Sequence, residues 1–228
     1  MDFNDSQQEA AFRKEARDFL EANAEKRSII SDKPNDKSPQ IAVAGAPETV
    51  KGGKEAAQEA LERAKVWQKK KAEAGFAAIL WPKEFGGYGG SPIQQVIYSQ
   101  EEHDYLVPSG YFEIGIGMLG PTMMVWGKDE DKKRYLPKMI TGEEIWCQLF
   151  SEPSAGSDLA GIKMKAEKDG DEWVLNGQKV WTSGAHFADY GMIVARSDPS
   201  ALKHKGLTYF YLDMKTCLLY TSDAADEE

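Results

Sequence analysis

The sequence predicts an α+β protein in which an all-helical domain is followed by an antiparallel, partly barrel-like β domain. In the first half of the chain, apolar residues recur at steps of three to four and helix start signals precede them. After Ile145 the apolar period changes to two, and Asp-Gly and Asn-Gly pairs bound the apolar runs. We therefore place the helical domain at residues 1–145 and an incomplete β domain at residues 146–216.

Local start and stop signals define five helices. Ser6 and Glu9 form a capping-box pattern, Ser91-Pro92 places a proline in the first turn, and Gly75 follows an amphipathic run. Two of the predicted helices begin near Ser6 and Ser91. The other three span Lys54–Ala74, Gly110–Val125 and Asp129–Ile140.

Proline and glycine mark the connecting segments. The stretch from Ile29 to Gly53 predicts an exposed loop, and the four glycines near the end of Trp81–Gly90 predict a shaped loop. Three strands are predicted over Glu172–Leu175, Tyr190–Ala195 and Leu207–Leu212.

Composition sets broad limits on function. The 228 residues are 41% hydrophobic and 29% charged, as in an ordinary globular protein. The net charge of -9 disfavours nucleic acid as a partner, and two cysteines give no disulfide framework. Because neither a signal peptide nor an apolar run long enough to cross a membrane is visible, we expect a cytoplasmic protein. Residues 217–228, CLLYTSDAADEE, resemble the translation of a sequencing-library adapter, and we interpret them as a read-through tail.

Two segments carry residues suited to a nucleotide cofactor. In the loop after Gln148, small side chains would expose the N–H groups of Ala155, Gly156 and Ser157, a row of donors that suits phosphates. Farther along, the Trp181 indole stands beside two hydroxyl residues, which suits an aromatic ring system edged with acceptors, such as a flavin. Each segment alone is more often an ordinary turn or a core tryptophan.

The pair of segments together is more specific. FSEPSAGSDLAG followed by GDEWVLNGQKVWTSGA resembles the two middle-domain motifs of the acyl-CoA dehydrogenase family. The resemblance extends back through WPKEFGGYGGSPIQQVIYSQEE and forward through ARSDPSALKHKGLTYFYLDM, so it covers most of residues 1–216. The chain has WTSGA where the family most often has WITNG, and serine at 151 where threonine is more usual.

The resemblance implies FAD as the cofactor and assigns candidate contacts to it. Residues near the isoalloxazine ring would be Gln148, Leu149, Phe150 and Ser151 from the first motif and Trp181, Thr182 and Ser183 from the second. Gly156 and Ser157 would follow the diphosphate. Ser157 and His204 would lie near the acyl-CoA substrate.

The resemblance also implies a reaction. The parent enzyme would oxidise acyl-CoA to trans-2-enoyl-CoA, with hydride transfer to flavin N5 and proton removal by a glutamate from a C-terminal helical domain. We find no match to that base in this chain, so we assign no catalytic residue and expect the fragment to be inactive. An electron-transfer flavoprotein and a homodimer or homotetramer are the implied partners.

Other functions remain open at this point. A flavin monooxygenase or an acyl-CoA oxidase on the same fold would use oxygen, and a noncatalytic flavin-fold binding protein would lack the base. The run Glu101-Glu102-His103-Asp104 predicts a charged, exposed helix face and not a catalytic cluster.

Overall fold

The computed structural model describes residues 4–27 and 53–216. The chain divides into two compact units, Met1–Glu143 and Glu144–Glu228. The predicted loop over residues 29–52 and the tail at 217–228 lie outside the described residues.

The first unit is helical, as predicted. Ser6 caps the first helix: its hydroxyl accepts from Glu9 N–H at 3.3 Å, and the Glu9 carboxylate accepts from Ser6 N–H at 2.7 Å. Ser91 and Gln94 form the same reciprocal pair at the start of the third helix. The helices are α1 (Gln7–Asn23), α2 (Gly53–Glu73), α3 (Pro92–His103), α4 (Gly120–Trp126) and α5 (Asp129–Thr141). Two short strands, β1 (Glu25–Lys26) and β2 (Tyr105–Leu106), pair antiparallel.

The helix predicted over Gly110–Val125 is present over residues 113–126, but it contains a π-helical turn, Gly115–Leu119, before α4. The buried Trp81 explains the interruption, since its indole N–H donates to the Ile116 carbonyl at 2.8 Å. A Cβ at Gly120 would overlap the Trp81 ring, so glycine is needed for this close approach. Trp81 itself belongs to the predicted shaped loop, which contains a single 3-10 turn at Lys83–Phe85.

An ion-pair cluster joins α1 to α3. Glu101 is 8% exposed and accepts from Arg13 at 3.0 Å and from Arg17 twice at 2.9 Å. The prediction of an exposed charged face was therefore wrong for Glu101, because two arginines of α1 face it. Beside this cluster, aromatic rings of Phe12, Phe76 and Tyr98 form the core between the helices.

The surface of the helical unit carries apolar residues at the end of α4, where Val125 and Trp126 are 67% and 85% exposed. Among the residues that the structure describes, no helix combines the length and the apolar character that crossing a membrane requires.

The second unit is a five-stranded sheet. The three strands predicted from the period of two are confirmed, each within one residue at its ends. The strands are β3 (Trp146–Leu149), β4 (Lys165–Asp169), β5 (Glu172–Asn176), β6 (Tyr190–Arg196) and β7 (Leu207–Asp213).

The sheet is open and mixed, so the expectation of an antiparallel, barrel-like domain needs correction. The pairs β4–β5 and β6–β7 are antiparallel, but β6 runs parallel to β3 over four residue pairs and to β4 at Lys165 and Arg196. A long crossover, residues 150–189, separates β3 from β6 and allows them to run in the same direction. Both predicted cofactor motifs lie at the ends of this crossover.

Candidate functional site

The strand that leads into the first motif sends its side chains to opposite faces. Cys147 and Leu149 are buried in the sheet core with Ile193 and Met164, whereas Gln148 is half-buried on the other face. Burial raises the pKa of the Cys147 thiol to about 12, which leaves it a protonated core residue. Of the predicted ring contacts on this strand, Gln148 is half-buried, and Leu149 has its side chain in the sheet core.

The loop after the strand turns at once. Glu152 N–H donates to the Ala155 carbonyl at 2.9 Å, and Ala155 N–H donates to the Glu152 carbonyl at 3.0 Å. The expectation that Ala155 presents a free amide was therefore wrong, because the turn uses it. Gly156 and Ser157 are exposed, and neither N–H has an acceptor within residues 4–27 and 53–216. Of the three predicted phosphate donors, only the Gly156 and Ser157 amides are therefore left to bind a ligand.

The carboxylate of Glu152 closes this loop at its base. It accepts from Lys163 N–H at 2.7 Å, from Met164 N–H at 3.0 Å and from the Lys179 ammonium at 3.0 Å. Burial alone would raise the pKa of Glu152, but these three donors outweigh it and hold the pKa below its ordinary value. The Lys179 pKa is lowered, because burial outweighs its bond to Glu152.

The second motif lies directly against the first. Val180 N–H donates to the Ser151 carbonyl at 3.0 Å, and the Lys179 ammonium donates to the Phe150 carbonyl at 2.9 Å. These two bonds join segments of the crossover that are about thirty residues apart in the chain.

Trp181 follows this junction in an unusual conformation. Its φ of 55° is positive, a backbone conformation that is unfavourable for a residue with a bulky side chain. Trp181 is also 80% exposed. A Cβ placed on Gly156 would find the Trp181 ring 3.9 Å away and no other atom within 4 Å. An exposed aromatic plate therefore stands beside the pair of free amides.

The hydroxyls of the two motifs are available to a ligand. Over the part of the chain that the structure describes, no partner occupies the side chains of Ser151, Ser157, Thr182 or Ser183. Free hydroxyl donors, two free amides and an exposed indole match the acceptors of a flavin ring and the charge of a diphosphate. The residues present therefore fit a flavin nucleotide.

His204 lies on a 3-10 turn, Lys203–Gly206, and is exposed. Arg196 fixes this turn to the end of the first loop by donating to the carbonyls of Lys203 at 3.1 Å and Ala160 at 2.8 Å. The described residues contain no cluster of His, Cys, Asp or Glu that could hold a metal ion.

Sequence reasoning missed Glu152 and Lys179. Both lie inside the quoted motifs, but a charged residue in a loop is usually solvated, so no local pattern marks either one as buried. Only the pairing of the two segments reveals that each is the other's partner.

Comparison with known proteins connects this geometry to a family. The family model for the acyl-CoA dehydrogenase N-terminal domain matches residues 46–143, and that for the middle domain matches residues 147–223. Acyl-CoA dehydrogenase IpdE1 of Mycobacterium tuberculosis is 39% identical over 163 residues, which are 72% of this chain and 42% of that protein. Acyl-CoA dehydrogenase FadE34 of the same organism is 46% identical over 145 residues, 64% of this chain and 20% of that protein.

Solved structures agree with these matches. The structure described as Tcur3481-Tcur3483 steroid ACAD superposes with a TM-score of 0.67 and 29% identity, covering 93% of this chain and 49% of the other. The chain thus spans half or less of the length of these relatives. Since two consecutive domain models of one family cover more than half of it, the chain belongs to the acyl-CoA dehydrogenase family.

Proposed function

We propose that this chain supplies the flavin-holding part of an FAD-dependent acyl-CoA dehydrogenase. The observation that carries the proposal is the bond from Val180 N–H to the Ser151 carbonyl, which joins the two motifs. Within the described residues, four hydroxyls and two amides of these motifs have no partner, and the exposed Trp181 ring lies beside Gly156. The relatives named above, all from one family of dehydrogenases, support the same conclusion.

When bound, the flavin supplies an acceptor for the hydride that leaves the substrate's β carbon. The chain's own residues bind and orient it. Ser151, Thr182 and Ser183 would donate to acceptors on the ring edge, and the Trp181 indole would cover part of the ring. The amides of Gly156 and Ser157 would donate to diphosphate oxygens.

The substrate that we propose is an acyl thioester of coenzyme A. Ser157 and His204 remain our candidates for contact with it, since both are exposed and the Arg196 bonds join their segments. We propose an electron-transfer flavoprotein as acceptor and a homodimer or homotetramer as the assembly, on the family resemblance alone. One relative is described as a steroid ACAD, which supports including bulky acyl groups among the substrates tested.

The test uses the longest reading frame that contains this chain. The purified protein is expected to carry a yellow flavin, and anaerobic addition of its acyl-CoA should bleach the visible band. A panel of straight, branched, aromatic and steroid side-chain thioesters identifies the acyl class. Bleaching without oxygen uptake supports a dehydrogenase, rapid oxygen uptake supports an oxidase or monooxygenase, and a protein that binds flavin but reacts with no thioester contradicts the proposed activity.

A further inference from the structure

We infer that Glu152 and Lys179 are positioning residues, a buried ionic latch that holds the two cofactor segments in the shape that flavin binding requires. The inference rests on the proposed function, because neither side chain is placed to touch the flavin. Their role is to fix the residues that do.

Burial sets this pair apart from the ion pair of Lys215 with Asp189 in the same unit. The side chains of Lys179 and Glu152 are 4% and 5% exposed, whereas in the pair of Lys215 with Asp189 the lysine is 75% exposed. An exposed pair adds little to structure, but a buried charge that loses its partner is strongly unfavourable. The latch is therefore expected to be closed whenever the sheet unit is folded.

The Glu152 carboxylate spans the whole first loop. One oxygen accepts from Lys163 N–H and the other from Met164 N–H, so Glu152 ties the start of the loop to its end, eleven and twelve residues later. Between these points lie the two free amides of Gly156 and Ser157. The carboxylate thus fixes both ends of the segment that presents the proposed diphosphate donors.

The Lys179 ammonium connects this closed loop to the second motif. It donates to the Glu152 carboxylate at 3.0 Å and to the Phe150 carbonyl at 2.9 Å, and the next residue, Val180, donates to Ser151. Lys179 thereby bonds to the residues on either side of Ser151 while lying two residues before Trp181. A change at Lys179 therefore acts on both groups of proposed flavin contacts.

Alternative explanations for a buried lysine fit less well. All three Glu152 donors and both Lys179 acceptors belong to the two motifs or to the end of the first loop. A pair that served general stability would have no need to be confined to these segments.

The experiment compares Lys179→Met, Lys179→Arg and Glu152→Gln with the control Lys215→Met, each in the longest reading frame that contains the chain. Two properties are measured: the dissociation constant for FAD after removal and re-addition of the flavin, and the hydrogen exchange of the Lys163, Met164 and Val180 amides. The visible circular dichroism of bound flavin reports its orientation.

We expect Lys179→Met and Glu152→Gln to weaken FAD binding at least tenfold, to alter the flavin circular dichroism, and to speed exchange of the three amides, while exchange in α1 to α5 is unchanged. Lys179→Arg should retain much of the FAD affinity and of the amide protection, and Lys215→Met should match the wild type. Unchanged FAD affinity in Lys179→Met, with or without faster exchange, would overturn the positioning role.

A failure of the proposed function gives a different result. If the wild-type protein binds no FAD, the flavin assignment is rejected. The exchange measurement then stands alone, and protection of the three amides that survives Lys179→Met would reject the latch as well.

Discussion

Replacing Glu101 by glutamine is expected to loosen the contact between α1 and α3. The Glu101 carboxylate is the shared acceptor for Arg13 and Arg17, with three donor distances of 2.9 to 3.0 Å. Glutamine has nearly the same shape but no charge, and its one carbonyl oxygen cannot accept all three bonds. Arg13 retains its bonds to Asp5, whereas among the residues that the structure describes Arg17 donates only to Glu101.

The magnitude follows from burial. Hydrogen bonds to charged groups each contribute about 1.5–3 kcal/mol to stability, and breaking a fully buried ion pair costs about 3–5 kcal/mol. Glu101 has an 8% exposed surface, but the Arg17 side chain is 52% exposed and can regain water. We therefore expect Glu101→Gln to lower the free energy of unfolding of the helical unit by about 2 kcal/mol.

A matched control lies on α1, the helix that carries Arg13 and Arg17. The Lys14–Asp18 pair is also short, at 2.6 Å, but its side chains are 76% and 59% exposed. Asp18→Asn should therefore cost no more than about 0.5 kcal/mol. Urea unfolding at pH 7, together with native-state hydrogen exchange of the Ala16 and Leu20 amides, measures both variants. Equal effects of the two substitutions would refute the argument from burial.

Three further outcomes are expected. The bonds from Arg17 and Arg13 lower the pKa of Glu101, so its stabilisation is present above the ordinary carboxyl pKa and is lost as the pH falls through the lowered value. The wild type and Glu101→Gln should therefore differ in stability at neutral pH and converge as the pH falls through that lowered value. Trp81→Phe removes the indole donor to a carbonyl of the π-helical turn and should cost about 1–3 kcal/mol by thermal unfolding, whereas Trp126→Phe, on a side chain that is 85% exposed, should cost less than about 0.5 kcal/mol. In a Cys217→Ser chain, the Cys147 thiol should resist a disulfide reagent at pH 8 until denaturant is added, because it is 1% exposed and its pKa is raised to about 12; stoichiometric labelling of the native protein would contradict this.

Local signals account for the parts of the fold that the sequence predicted well. The capping box at Ser6 depends on a residue three positions away and forms as expected, and Ser91 caps its helix as expected. The reciprocal bond from Gln94 to Ser91 was not predicted. The hairpin of β4 and β5 likewise depends on its own turn, after Asp169.

Features that depend on distant partners were missed or wrong. The direction in which β6 runs beside β3 depends on a crossover of forty residues, which strand periodicity does not report. Gly120 is small because Trp81 packs against it, and Glu101 is buried because two arginines of α1 reach it. In each case the decisive contact joins residues more than thirty positions apart.

The candidate site shows both situations. The two motifs and the hydroxyls at Ser151 and Ser183 could be identified from sequence, since small and polar residues beside a tryptophan suggest a cofactor. The use of the Ala155 amide within its own turn, and the Glu152–Lys179 bond between the motifs, required coordinates.

FAD binding by Gly156→Ala tests whether the flavin diphosphate lies against the loop that carries Gly156 and Ser157. An added Cβ at Gly156 meets nothing closer than the Trp181 ring at 3.9 Å, and the residue has no positive φ, so the protein itself should tolerate the methyl group. Gly117→Ala is the control, since a Cβ there also enters open space but in the helical unit.

Both variants are compared with the wild type by fluorescence titration with FAD, with thermal unfolding recorded beside it. We expect Gly156→Ala to unfold within about 0.5 kcal/mol of the wild type and to bind FAD at least tenfold more weakly, while Gly117→Ala binds FAD as tightly as the wild type does. If Gly156→Ala binds FAD as tightly as the wild type does, the flavin diphosphate does not lie against this loop, and the proposed site is wrong.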